Sequence, residues 1–302
     1  MNQNIRNSYI RRNSLSVPMI CFPNAKINIG LNIIEKRPDG FHNIESVMYP
    51  LKGIVCDALE ITSPPAPLPR ERGAGLTVSG NIIPGNENEN LCMKAYHLIK
   101  QDYPQVPAIE IHLHKAIPIG AGLGGGSADA AFFIRLLNDA FELGISWGEM
   151  HHYARQLGSD CSFFVSNKPA FAEGKGDQFE SIQLDLSGYY IAVIYPNIHI
   201  NTAKAYSDFD KAEGRRQKAD GKLEDLIQLP IEKWKNTIHN DFEDSVFPQH
   251  PELKKIKEKL YSFGAIYASM SGSGSAVYGI FKKEPKVKKN FGTYQVWEGR
   301  FT

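Results

Sequence analysis

The chain has 302 residues, 42% hydrophobic and 22% charged, with 34 basic and 33 acidic side chains. At roughly 100–200 residues per domain the length suits two domains or fused lobes, and the apolar content excludes wholesale disorder. A formal net charge of +1 provides no broad field for nucleic acid or an anionic membrane, so neither is expected as a partner.

The first 18 residues are polar and rich in Arg, Asn and Ser, without the apolar stretch of a secretory signal. They are expected to be a disordered extension. Over 26–35, Ile27, Ile29, Leu31 and Ile33 alternate with polar or small residues, the period-two pattern of a half-buried strand. Arg37-Pro-Asp-Gly40 then turns the chain, since Pro presets φ and Gly accepts a positive one. A return strand over 41–51 completes a hairpin, and 54–62 reads as a further strand.

Residues 63–75 (SPPAPLPRERGAG) are too rich in Pro and Gly for strand or helix and read as an exposed insertion. The spacing predicts a helix over 90–101, a strand over 109–113, a strongly apolar helix over 127–138 and another over 147–157 ended by Gly158. An apolar strand follows at 189–195. The charged, Gly-containing run 211–222 reads as a solvated loop, and the join between lobes belongs there or just before Tyr189. A helix over 251–263 and strands over 265–270 and 276–281 complete the chain. The lobes are therefore expected as 19–185 and 186–302.

Cys21, Cys56, Cys92 and Cys161 stand singly, with no C-x-x-C pair, so neither a disulfide framework nor a zinc site is expected. Reduced thiols in a cytoplasmic protein fit that pattern. No window approaches the ~18 uninterrupted apolar residues of a membrane-crossing helix.

The strongest chemical signal is Pro118-Ile-Gly-Ala-Gly-Leu-Gly-Gly-Gly-Ser-Ala-Asp129, in which five of the seven residues 120–126 are glycine. Phosphate oxygens need several N–H donors at close range, and side chains would obstruct them. A following helix N-terminus adds free N–H groups and a positive dipole end. The loop sits between a strand and a tightly apolar helix, a context that favours phosphate binding over a flexible linker. It lacks the Gly-Lys-Ser/Thr of a Walker loop, the acidic partner of a Rossmann fingerprint and the protein-kinase motif set.

Three further features are individually weak. Lys26 opens a strand, where a solvated edge lysine is the commoner case, although an ammonium facing a cleft could orient a reacting group. Asp160 follows Gly158-Ser159 and reads as a cap or as a general base. Met270-Ser-Gly-Ser-Gly-Ser275 reads as a β-turn or as a second anion-holding loop.

In this order, the motifs P-N-A-K-I-N-I-G-L, R-P-D-G-F-H, G-L-G-G-G-S-A-D-A-A, L-G-S-D and M-S-G-S-G-S resemble the GHMP small-molecule kinases over residues 23–281. The resemblance implies an α+β fold of two lobes, with a ribosomal-protein-S5-like N-terminal lobe carrying the ATP loop and a ferredoxin-like C-terminal lobe. It implies that Pro118, Ile119, Gly120, Ala121, Gly122, Leu123, Gly124, Gly125, Gly126, Ser127 and Ala128 cradle ATP. Ser271, Gly272, Ser273 and Gly274 would form the late loop.

Lys26 and Asp160 match the catalytic Lys and Asp of that family. Asn28, Phe41, His42 and Tyr206 match substrate contacts, with Phe41 standing where Tyr is frequent and Tyr206 where an aromatic ring stacks on a pyrimidine. Through its D-G-F-H and triple-glycine elements, the resemblance implies a small-molecule substrate carrying a cytidine diphosphate group, phosphorylated in non-mevalonate isoprenoid synthesis. Mg2+ is expected with ATP, its protein ligands not being readable, and the chain as monomer or homodimer. The alternatives are another GHMP kinase, acting on a sugar, homoserine or mevalonate, and a non-catalytic nucleotide-binding module.

Overall fold

The computed structural model describes residues 17–62, 73–211 and 221–302. Its elements begin with strands β1 (Met19–Cys21), β2 (Lys26–Lys36), β3 (His42–Pro50), β4 (Ala58–Thr62) and β5 (Ala74–Gly80), then helix α1 (Leu91–Asp102) and β6 (Ile109–Lys115). Helices α2 (Gly125–Phe141), α3 (Trp147–Leu157) and α4 (Cys161–Ser166) precede strands β7 (Ala170–Glu173), β8 (Gln178–Ser181) and β9 (Tyr190–Tyr195). Next come α5 (Thr202–Lys211), α6 (Leu223–Leu226), α7 (Ile231–Thr237), α8 (Phe242–Val246) and α9 (Pro251–Ser262). Strands β10 (Tyr267–Met270), β11 (Val277–Phe281) and β12 (Gln295–Arg300) end the chain.

The chain forms two compact units that interleave along the sequence. One comprises the residues up to Pro23, with Cys56–Ile117 and Gly125–Ser166; the other comprises Asn24–Val55, Pro118–Gly124 and Asn167–Thr302.

In the first unit, a sheet of order β1-β4-β6-β5 has β5 parallel to β6 and its other pairs antiparallel. Helix α2 packs against α1, α3, α4 and β1. Its buried positions Ala128, Ala130, Ala131, Phe133, Ile134 and Leu137 form a stripe too wide for a surface helix, as the apolar spacing foretold. Helix α3 starts on a Ser146–Glu149 capping box, which satisfies the first free N–H groups.

The second unit holds two sheets. One is the antiparallel meander β2-β3-β7-β8, whose first hairpin turns at Arg37–Gly40 with Gly40 at φ +86°. The other has the order β12-β9-β11-β10, antiparallel throughout. Read in chain order that is 4-1-3-2, with α9 packed on β10 and β11, the ferredoxin-like arrangement. Its second crossover is reduced to one 3-10 turn, Lys288–Asn290. The core includes Ile194, Phe242, Leu253, Ile256, Leu260, Ala268, Val277 and Phe281.

Most expected elements occur within a few residues of their predicted limits. The long apolar helix starts two residues earlier than its spacing suggested, at Gly125. Part of the expected insertion is instead strand: Ala74 and Gly75 open β5, paired to Ile109 and Glu110 of β6. The rest of it, 63–72, lies outside the described residues, as do 1–16 of the expected extension and 212–220 of the expected loop. The sequence reading did not anticipate the short elements β1, β7, β8, α4 to α8 and β12.

Candidate active site

The glycine loop leaves β6 and passes into α2. Gly120, Gly122 and Gly124 have φ of +69°, +77° and +71°, the left-handed region that only glycine occupies without strain. At Gly122 the requirement is also steric, since a Cβ there would lie 1.9 Å from the carbonyl oxygen of Ser271. The Ser271 hydroxyl donates to Gly122 O at 2.8 Å, and Ala276 N donates to Ala121 O at 3.0 Å. The first part of the glycine-rich loop is thus bonded to the late Gly/Ser loop, itself turned by Gly272 and Gly274 at φ +55° and +91°.

Lys26 and Asn28 join this assembly. Lys26 N donates to Leu123 O at 3.0 Å, and Lys26 Nζ donates to Asn28 Oδ1 at 2.5 Å. Asn28 N donates to Ser271 Oγ at 3.2 Å, its Nδ2 to Ser46 Oγ at 2.8 Å, and its carbonyl accepts from Tyr278 OH at 2.8 Å. Lys26 is only 4% exposed, so it is not the solvated edge residue that its position in a strand would suggest. Burying an ammonium is costly unless its donors are met, and such a lysine is suited to a specific anionic contact.

The helical part of the loop rests on a buried charge cluster. Lys115 Nζ bonds Asp57, and it bonds Asp129 Oδ2 at 2.7 Å, with all three side chains less than 5% exposed. Asp57 Oδ1 also accepts from Ala116 N at 2.6 Å and Ile117 N at 2.8 Å, fixing the exit from β6. Burial drives the Asp129 carboxyl well above the usual carboxylate range despite the opposing Lys115 charge. A Cβ on Gly125 would meet Ile117 Cγ2 at 2.8 Å and Lys115 Nζ at 3.2 Å, whereas one on Gly126 would meet only Leu91 at 3.9 Å. Gly125 is therefore required by packing on Ile117 and Lys115. The sequence reading missed Asp57 and Lys115, whose only signal was charge in otherwise apolar strand surroundings.

Asp160 stands half-buried between the Gly158 end of α3 and the start of α4. Beside it, burial pushes the Cys161 thiol up to about 11, opposed by a hydrogen bond with Ser127 and reinforced by the Asp160 charge. That thiol is protonated at neutral pH and is no nucleophile. Ser127 thus lies near the segment bearing Asp160, although 33 positions separate them in the sequence.

The expected substrate residues divide. The rings of His42 and Tyr206 stack with centroids 4.5 Å apart and an interplanar angle of 10°. Tyr206 also meets Phe242 edge-on. Phe41 does not join this stack; its ring is 58% exposed, with Lys175 Nζ 4.9 Å from the centroid. Ser273 Oγ lies 2.9 Å from Thr202 Oγ1, which ties the late loop to the start of α5. Among the described residues no helix is long and apolar enough to cross a membrane, and no group of three His, Cys, Asp or Glu could hold a metal ion.

Residues 90–168 match the GHMP kinases N terminal domain, and residues 223–289 match GHMP kinases C terminal. The fold is accordingly that of an ATP-dependent small-molecule phosphotransferase. A Bacteroides fragilis 4-diphosphocytidyl-2-C-methyl-D-erythritol kinase is 49% identical over 271 residues, 90% of this chain and 95% of that protein. The kinase of the same name from Bacteroides thetaiotaomicron is 50% identical over 88% of this chain and 93% of its own length. A crystal structure of 4-(cytidine 5'-diphospho)-2C-methyl-D-erythritol kinase superposes with a TM-score of 0.74 at 26% identity, covering 94% of this chain and all of that one. A Methanococcus jannaschii mevalonate kinase, at 14% identity and a TM-score of 0.66, shares the fold. The chain belongs to the GHMP kinase family, in the branch of these 4-diphosphocytidyl-2-C-methyl-D-erythritol kinases.

Proposed function

We infer that this chain transfers the γ-phosphoryl group of ATP to the 2-hydroxyl of 4-diphosphocytidyl-2-C-methyl-D-erythritol, a step of non-mevalonate isoprenoid synthesis. The similarity to kinases of that name, extending over nine-tenths of the chain, is the observation that carries the reading. The tie from Lys26 through Asn28 and Ser271 to Gly122 supports it, because it joins three motifs that are far apart in the sequence.

In this reading the 2-hydroxyl oxygen forms the new P–O bond as Asp160 accepts its proton, and the β–γ bridging oxygen leaves with the electron pair as part of ADP. Lys26 supplies positive charge where negative charge builds up. Little covalent chemistry falls to the protein, so positioning and charge compensation dominate. Backbone N–H groups of 119–128 would bind the phosphates. The Ser127 hydroxyl, in the first turn of α2, is a neutral oxygen donor that would help hold an Mg2+ ion, whose charge when bound would offset part of that of the phosphates. His42 and Asn28 would bind the cytidyl and sugar ends, with Tyr206 and Phe41 offering aromatic faces. Four cysteines scattered singly, two of them buried, fit a reducing cytoplasm.

The test is ATP turnover with and without the cytidyl substrate. Turnover that depends on it is expected; ATP binding without turnover would leave only a nucleotide-binding module. Asp160→Asn should lower kcat by about 10²–10⁴-fold, the usual contribution of a general base, with ATP affinity nearly unchanged. Full activity in that variant would refute the base assignment.

A further inference from the structure

His42 is held by Asp210, itself bonded to Lys36, and both charged residues lie outside the motifs that carry the family resemblance. Its Nε2 lies 2.7 Å from Asp210 Oδ1, and the other carboxylate oxygen, Oδ2, accepts from Lys36 Nζ at 2.7 Å. The His42 side chain is 5% exposed and that of Asp210 is 26% exposed. Asp210 follows Tyr206 by four positions on α5, so one face of that helix presents both the ring stacked on His42 and the carboxylate bonded to it.

We propose that Asp210 is a positioning residue that fixes the tautomer of His42, and that it thereby lets the kinase prefer an aminopyrimidine to an oxopyrimidine. The proposal rests on the substrate reading above, in which the His42 ring meets the pyrimidine. A carboxylate can only accept, so Nε2 must carry a proton to bond Asp210. In the neutral ring Nδ1 is then a lone-pair acceptor. An acceptor pairs with the exocyclic amino group of cytosine and repels the carbonyl that uracil carries at the same place.

Lys36 completes the device. Burial pushes the Asp210 carboxyl up, but the bonds from Lys36 and His42 outweigh it and hold the group below the usual carboxylate range. Lys36 thus occupies the second carboxylate oxygen and fixes the orientation in which Asp210 Oδ1 meets His42 Nε2. The stacked Tyr206 keeps the ring from rotating away from Asp210.

The experiment uses the full chain with Asp210→Ala and Asp210→Asn, reading KM and kcat for the cytidyl substrate and its uridyl analogue. It also reads the His42 tautomer by 15N NMR of the unliganded protein. The wild-type ring should be protonated at Nε2. Asp210→Ala should mix the tautomers, raise KM for the cytidyl substrate about tenfold, and lower the cytidyl-over-uridyl ratio by a similar factor, with a smaller change in kcat. Asp210→Asn keeps an acceptor for Nε2–H and should recover most of the ratio. A wild-type His42 protonated at Nδ1, or an unchanged ratio in Asp210→Ala, would overturn the proposal. A wild-type protein that ignores the cytidyl substrate would refute the substrate reading instead, while the NMR arm would still report on the Asp210–His42 bond.

Discussion

The α-carbon of Gly122 faces the carbonyl oxygen of Ser271 so closely that a Cβ would lie 1.9 Å from it, while the Ser271 hydroxyl bonds back to Gly122 O. The obstructing atom is backbone, so no side-chain rotation can relieve it. The φ of +77° adds strain for any L side chain. Gly122→Ala must therefore displace one loop from the other. Misplacement of reacting groups by about 1 Å costs on the order of 10²-fold in rate, and a loss of that size in kcat/KM for ATP is expected. Gly148→Ala, in α3 outside the site and with nothing within 4 Å of the added Cβ, should stay within a few-fold of wild type. Steady-state kinetics of the two variants side by side checks the contrast, and equal losses would show that the loop does not depend on this contact.

Lys115 is bonded to two buried carboxylates, and Asp129 Oδ1 is buried without a hydrogen-bond partner. Removing the one cation leaves two acids facing each other in a medium of low polarity. Breaking a buried ion pair from one side costs about 3–5 kcal/mol, and Lys115→Met should lose stability on that scale in urea unfolding. Asp129→Asn should be much milder, because burial already opposes ionisation of that carboxyl. Comparable losses in the two variants would refute this account of the cluster.

The Asp210 carboxyl is held below the 3.8 of the free side chain in the folded state. A depressed carboxyl contributes stability that is complete above the unfolded pKa and is lost as pH falls through the folded one. Wild type should therefore lose more stability than Asp210→Asn between about pH 4 and the acid limit of folding. Urea midpoints measured from pH 6 downward would show it, and parallel profiles would mean that the carboxylate gains nothing from Lys36 and His42.

The legible parts of this protein were those written in local spacing. Alternation over Ile27, Ile29, Leu31 and Ile33 marked β2, Pro38 and Gly40 marked its turn, and apolar residues at helical intervals marked α2. Both glycine loops declared themselves, because a backbone that must adopt positive φ draws on a single residue type. The order of these motifs was enough to point to the family and to the residues proposed for catalysis.

Partners that lie far apart in the chain were decided only by the tertiary structure. Ser271 bonds Gly122 across 149 positions, Lys115 bonds Asp57 across 58, and Asp210 reaches His42 across 168. No period or composition encodes such distances, since each depends on which strands pair and where a helix settles on a sheet. The same holds for Lys26: its place at the head of a strand predicted exposure, yet pairing of β2 with β3 and the contact with Leu123 bury it. Local steric preference determined where the backbone bends and which side chains turn inward. Long-range packing and hydrogen bonding alone determined which charges would meet.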